Sequence, residues 1–235
     1  MAVALIVAAG SGERLGGSVP KAFIPCAGRP LVAWSIDAFR AVDGIDRIVV
    51  AVPPGWTAST DGDVEALEGC VVCEGGSDRS LSVRAALSAA GDLDDSQVVL
   101  VHDAARPFVE RELIERLMAA VAPGAGCEAA IAATQVTDTI KVANEDGNVL
   151  STLDRGTLRA VQTPQAFTNR ALAQALDQGE DVLAAATDDA ALAEALGLAV
   201  QLVDSPSENF KVTTQNDLDL AELILGRRAK AGAPR

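Results

Sequence analysis

The feature that most constrains this chain is a set of short, β-branched runs with unbroken apolar cores, "VALIVAA", "RIVVAV" and "QVVLVH", set between longer stretches with helical spacing of their apolar residues. A strand that is apolar at every position has no face for water, so it belongs inside a parallel sheet covered by helices on both sides. "RPLVAWSIDAFRAV", with Pro30 in its first turn, and "RSLSVRAALSAA" supply such helices; "CVVCE" reads as a further strand, and the proline pair of "PPG" stops the second run. The expected fold is α/β: a doubly wound, mostly parallel sheet with right-handed crossovers and a Rossmann-like nucleotide-binding half. At 235 residues, about half of them apolar, the chain has material for one large domain. That domain is expected over residues 1–226, with a frayed tail over 227–235.

Residues 127 to 165 break the rhythm. After the strand "CEAAIAATQV", the segment "TDTIKVANEDGNVLSTLDR" reads as two short strands around an Asp-Gly turn with polar flanks, a protruding β arm over 136–160. Periodicity by itself fits an ordinary surface hairpin. The helical stretches "NRALAQALDQG", "DDAALAEALG" and "QNDLDLAELILG" and the strand "LAVQLV" complete the domain.

Charge narrows the function. A formal net charge of −14 repels nucleic acid, and five Phe, two Trp and no Tyr leave few platforms for stacked bases, so no nucleic-acid partner is expected. No apolar run is long enough to cross a bilayer and no basic segment precedes "VALIVAA", so neither membrane nor export is expected, and the chain is placed in the cytoplasm. Cys70 and Cys73 form the one close cysteine pair, in a strand that points them to opposite faces; buried thiols in a reducing compartment are expected, not a zinc clasp.

The stretch "LIVAAGSGERLGGSVPK" carries the chemistry. It is not a P-loop, because no Gly-Lys-Ser/Thr follows the glycines at the required spacing. It is not a dinucleotide fingerprint either: Leu15 stands at the third glycine's place and strand two ends at Val52-Pro53 with no acid for a ribose. What remains is a backbone loop able to wrap a triphosphate, with glycine N–H groups as an anion concavity and Arg14 and Lys21 at its rim. Either cation alone would read as a surface charge; behind the first strand of such a sheet, the two together read as phosphate ligands.

"AAGSGERLGGSVPK", "GGSDRSLSV", "VHDAARP", "TDTIK", "LDR", "QTPQ", "TDDAA" and "NFKVT", in that order from about residue 4 to residue 222, resemble the 2-C-methyl-D-erythritol 4-phosphate cytidylyltransferases of the non-mevalonate isoprenoid pathway. The resemblance implies transfer of CMP from CTP to the polyol phosphate with release of pyrophosphate. It implies that Ala8, Ala9, Gly10 and Gly12 line the CTP phosphates and that Arg14 and Lys21 stabilise charge. Gly76, Ser77 and Ser82 would hold cytosine and ribose, with Asp103 and Ala104 at the junction of the two substrates. Arg106, Thr163, Thr187 and Lys211 would grip the methylerythritol phosphate. Thr139 and Arg155 lie on the arm, which the resemblance implies reaches into a neighbouring subunit of a homodimer. Ala86 stands where the family often has Gly, and Ser77 where an acid is common.

Such a reaction needs no protein nucleophile and no general base, since phosphates are already ionised; alignment and fixed charge carry it, through Arg14, Lys21, Lys211 and Arg155. Bringing two anions together calls for Mg²⁺, held by phosphates and a carboxylate, with Asp103 as its expected ligand; the other reading of Asp103 is a cap on the next turn. His102 is expected to pack or hydrogen-bond locally. The alternatives are a ribitol-5-phosphate cytidylyltransferase, a non-catalytic nucleotide-binding protein of the same fold, and, more remotely, a nicotinamide dehydrogenase.

Overall fold

In the computed structural model, residues 1–10, 12, 19–56 and 65–230 are described. Arg14 and the final five residues of the expected tail lie outside them. The apolar runs become β1 (Ala2–Val7), β4 (Ile45–Val52), β5 (Val71–Glu74) and β6 (Val98–Asp103); two short pairs of residues, β2 (Pro25–Cys26) and β3 (Arg29–Pro30), form a small hairpin after the first loop. Helix α1 (Leu31–Arg40) follows, with Pro30 as its N-cap in extended conformation and not inside its first turn as expected. Beyond β5 come α2 (Arg79–Ala89), then α3 (Arg111–Ala120) after β6.

The second half contains β7 (Ala129–Gln135), the arm strands β8 (Lys141–Ala143) and β9 (Val149–Thr152), and β10 (Arg159–Thr168). It continues with α4 (Asn169–Leu176), α5 (Glu180–Ala185), α6 (Asp189–Ala195), β11 (Val200–Asp204) and α7 (Gln215–Lys230). The main sheet has seven strands in the order β11-β7-β10-β6-β1-β4-β5. All run one way except β10, which is antiparallel to both β6 and β7. β6 sits at the centre with every residue buried, as the apolar run over its first four residues requires, and His102 and Asp103 at its end are buried with them.

The pleat sorts alternate side chains into two cores. Ala4, Ile6, Val50 and Leu100 meet Ile36 and Phe39 of α1 and Leu113 and Leu117 of α3 on one face; Val3, Leu5, Val49, Val99 and Val101 meet Val83 of α2, Leu172 of α4 and Leu192 of α6 on the other. Cys70 packs toward the first core and Cys73 toward the second, so the pair does face opposite ways, and all four cysteines are free thiols.

Two features differ from the sequence reading. The strand β10 was not anticipated, because Pro164 within "QTPQ" argues against a central strand; the ladder accommodates it with a register irregularity between Val161 and Gln165. The chain does not fray at residue 227: α7 continues to Lys230, and Arg228 pairs with Glu208 and Glu110 and lies over the Phe108 ring. The arm is a separate two-stranded sheet, exposed along both strands. Among the described residues no helix is long and apolar enough to cross a membrane.

Candidate active site

The carboxyl ends of β1, β5 and β6 converge on a cleft of about 340 Å³, lined by residues from all three strand-end loops and by Lys211 and Thr213 from the segment before α7. Ligands of open α/β sheets bind at such strand ends. Two close approaches shape the cleft. Gly12 has φ +76°, and a side chain on it would meet Lys21 at 3.0 Å, while the Lys21 N–H donates to the Gly10 carbonyl. Gly10 and Gly12 thereby lie against Lys21, and all three line the cleft. On the far side a Cβ on Gly75 would stand 2.5 Å from the Ala9 methyl, so only glycine lets the β5 loop close against the β1 loop.

Of the residues expected at the nucleotide, Ala8, Ala9, Gly10, Gly12, Gly76, Ser77, Ser82, Asp103 and Ala104 all line this cleft, together with Lys21 and Lys211. The Ser82 hydroxyl accepts from the Gly76 N–H at 3.1 Å and donates to the Asp78 carbonyl at 3.0 Å, so it shapes the turn that carries Gly76 and Ser77. Ala86 packs in the core and lies away from the cleft. The cleft does not gather the remaining expected residues. Thr163 is buried beneath it, where its Oγ1 accepts from the Asp103 N–H at 3.0 Å and contacts His102 Nδ1 at 3.1 Å. Arg106 turns away to donate to the Asn209 carbonyl at 2.8 Å. Thr187 is exposed at the turn before α6, and Thr139 and Arg155 are exposed on the arm, where Arg155 donates to the Thr137 carbonyl.

Asp103 is the electrostatic centre. Its Oδ2 pairs with Lys211 Nζ at 2.8 Å and its Oδ1 with Arg79 Nε at 3.0 Å, with Arg106 3.9 Å away. Burial opposes its ionisation, but the summed charge of Arg79, Lys211 and Arg106 prevails and holds the carboxyl well below the usual carboxylate range. His102 is enclosed, with Nε2 against the Arg106 carbonyl; burial drives its pKa down to about 3, so it stays neutral and serves as a packing and hydrogen-bonding group, as expected. Among the described residues three cations, Lys21, Arg79 and Lys211, and two acids, Asp78 and Asp103, line the cleft, an excess of positive charge among those residues in a chain of net charge −14.

Among the described residues no cluster of three or more His, Cys, Asp or Glu could cage a metal. The donor set still fits Mg²⁺, which takes most of its ligands from phosphate and water and needs one ionised carboxylate; Asp103 is such a carboxylate at the cleft wall.

The sequence reading gave no role to Arg79, which the fold places between Asp103 and the buried Asp189. A signal was present: Arg79 opens α2, whose first turn holds no acid, and a cation is unfavourable at a helix N-terminus unless carboxylates face it.

A family model described as 2-C-methyl-D-erythritol 4-phosphate cytidylyltransferase matches residues 2–227. This chain belongs to that family. Relatives with the same description include one from Nocardia farcinica, 45% identical over 97% of this chain and 95% of its own length, and one from Frankia casuarinae, 45% identical over 95% of this chain and 81% of its own. The crystal structure of 2-C-methyl-D-erythritol 4-phosphate cytidylyltransferase from Thermus thermophilus is similar with a TM-score of 0.76 at 37% identity, covering 95% of this chain and 98% of that one. Family membership makes the chain a nucleotidyltransferase with a Rossmann-like α/β fold, as the residues of the cleft also suggest.

Proposed function

We propose that the chain transfers CMP from CTP to 2-C-methyl-D-erythritol 4-phosphate, forming 4-diphosphocytidyl-2-C-methyl-D-erythritol and pyrophosphate for isoprenoid precursor synthesis. The observation that carries the reading is the cleft itself: Gly10, Gly12, Lys21 and the Asp103–Lys211 pair line one cleft at the strand ends of a member of this family. The main-chain amides of Ala8, Ala9, Gly10 and Gly12 receive the phosphates, and Lys21, with Arg14 from the same stretch of sequence, meets the charge that grows on the α-phosphate as its bonds exchange. Gly76, Ser77 and Ser82 border the pyrimidine and ribose. The polyol phosphate oxygen attacks phosphorus in line and pyrophosphate departs opposite. His102, buried and neutral, takes no part in proton transfer.

Mg²⁺ bound to the CTP phosphates would be held by Asp103 and would neutralise the two anions as they meet. Arg106, Thr163, Thr187 and Lys211 would serve the second substrate, with Lys211 reaching it from the cleft wall. Thr139 and Arg155, absent from the lining of their own chain's cleft, are supplied to that of a second copy in a homodimer. Exposed Val142, Val149, Leu150 and Leu153 on the arm support that assignment, since apolar side chains gathered on a projecting ribbon gain by being covered.

Incubation with CTP, Mg²⁺ and either methylerythritol phosphate or ribitol 5-phosphate, followed by pyrophosphate release, tests the reading. Turnover with the first and little with the second is expected; preference for ribitol 5-phosphate, or none with either, would refute it. Lys21→Ala should lower kcat by about 10² to 10³, the scale for one preorganised charge donor.

A further inference from the structure

The geometry points to Arg79 as the positioning residue of this active site, a brace that sets the Asp103 carboxylate by tying it to the buried carboxylate of Asp189. The inference rests on the cytidylyl-transfer reading and extends it to a residue that has no role there.

Arg79 reaches two acids at once. Its Nε donates to Asp103 Oδ1 at 3.0 Å and its Nη1 to Asp189 Oδ2 at 2.6 Å. Asp189 has no exposed side-chain surface, and the turn that carries it is anchored to β10. Gln165 donates to Asp188 Oδ2 at 2.8 Å and accepts from the Ala190 N–H at 3.2 Å, and Asp188 Oδ1 accepts from the Ala191 N–H at 2.9 Å. Asp189 is therefore a fixed post, and the rigid guanidinium transmits its position to Asp103.

The need for such a brace follows from the rest of the Asp103 environment. The other close partner of the carboxylate is Lys211, a long side chain 38% exposed on a segment outside helix and strand. A lysine is a point charge on a flexible stem and does not define the plane of a carboxylate. With Oδ1 held by Arg79, Oδ2 is the oxygen left for Lys211 and for the cleft. The planar fork of arginine can span two carboxylates; an ammonium at the same place keeps the charge and loses the span. Without Arg79 the buried Asp189 would also lose its ion pair, while Asp103 would keep Lys211, so a neutral substitution risks the fold as well as the site.

Arg79→Lys is for that reason the principal variant, with Asp189→Asn as the second, which keeps the shape of the post and removes its charge. Both are purified as folded protein, checked by circular dichroism, and compared with wild type for kcat, for KM of each substrate and for CTP affinity by calorimetry. Arg79→Lys is expected to lower kcat up to about 10²-fold, the cost of a misplaced catalytic group, with KM for CTP within about threefold of wild type; Asp189→Asn should move kcat the same way by less. A purely structural role would reduce folded yield or melting temperature while leaving kcat per folded molecule unchanged, and that outcome overturns the inference. So does a raised KM for CTP at unchanged kcat, which would make Arg79 a simple nucleotide ligand. If wild type turns over and Arg79→Lys matches it, the positioning role fails and the function stands; if wild type turns over neither polyol phosphate, both fail.

Discussion

At the scale of single residues the site depends on groups whose work is local. Asp217 is an example: its Oδ2 accepts from the Thr213 N–H, the Thr213 hydroxyl and the Thr214 N–H at 2.7 to 2.8 Å, while its own N–H donates to Thr214 Oγ1. These bonds close the start of α7 and fix the turn just beyond Lys211. The Thr213 hydroxyl bond, with the backbone donors, lowers the Asp217 carboxyl to about 2. A carboxyl depressed in the folded state stabilises it fully above the unfolded value of about 4 and loses that contribution as pH falls through the folded value. Asp217→Asn should therefore cost at most about 1 kcal/mol near neutrality, since the group is only partly buried, with the gap from wild type narrowing as pH falls from about 5 toward 3. Urea midpoints at several pH values measure it; a gap constant with pH would exclude the carboxylate. Most cleft residues were legible from the order of their motifs. Arg79 was missed because its partner Asp189 lies 110 positions away, a pairing that no local spacing announces.

Among the elements, the arm and β10 carry opposite lessons. The arm was legible because an Asp-Gly turn between short strands is a local signal, and β8 and β9 pair only with each other. β10 was hidden because its place is set by neighbours: β6 and β7 flank it on both sides, and their ladders outweigh the missing donor at Pro164. The proposed role of the arm gives a specific outcome. Arg155→Ala and Lys21→Ala proteins, each nearly inactive, should on mixing and subunit exchange recover up to about a quarter of wild-type activity, since half the dimers would be hybrids with one intact site of two. Verified exchange without recovery would assign Arg155 to its own chain's site.

For the whole molecule, one sheet separates two cores, and a loss on either face should weaken the same structure. Ile36→Ala on the α1 face and Leu172→Ala on the α4 face remove fully buried side chains and should each cost about 2 to 5 kcal/mol, shifting a single calorimetric transition. Two transitions moved separately by the two variants would divide the expected single domain. By itself the sequence determined the layered α/β class, the central place of the "VVLV" strand, the glycine loop and the family, because these follow from local periodicity, backbone freedom and ordered motifs. Only the tertiary structure decided that Arg79 should stand between Asp103 and Asp189, that Thr163 should lie under the cleft, and that α7 should run on past Gly226. Those outcomes depend on which distant groups share a buried space, and the energy of an ion pair, a hydrogen bond or a packed helix end is settled by the partner that arrives there.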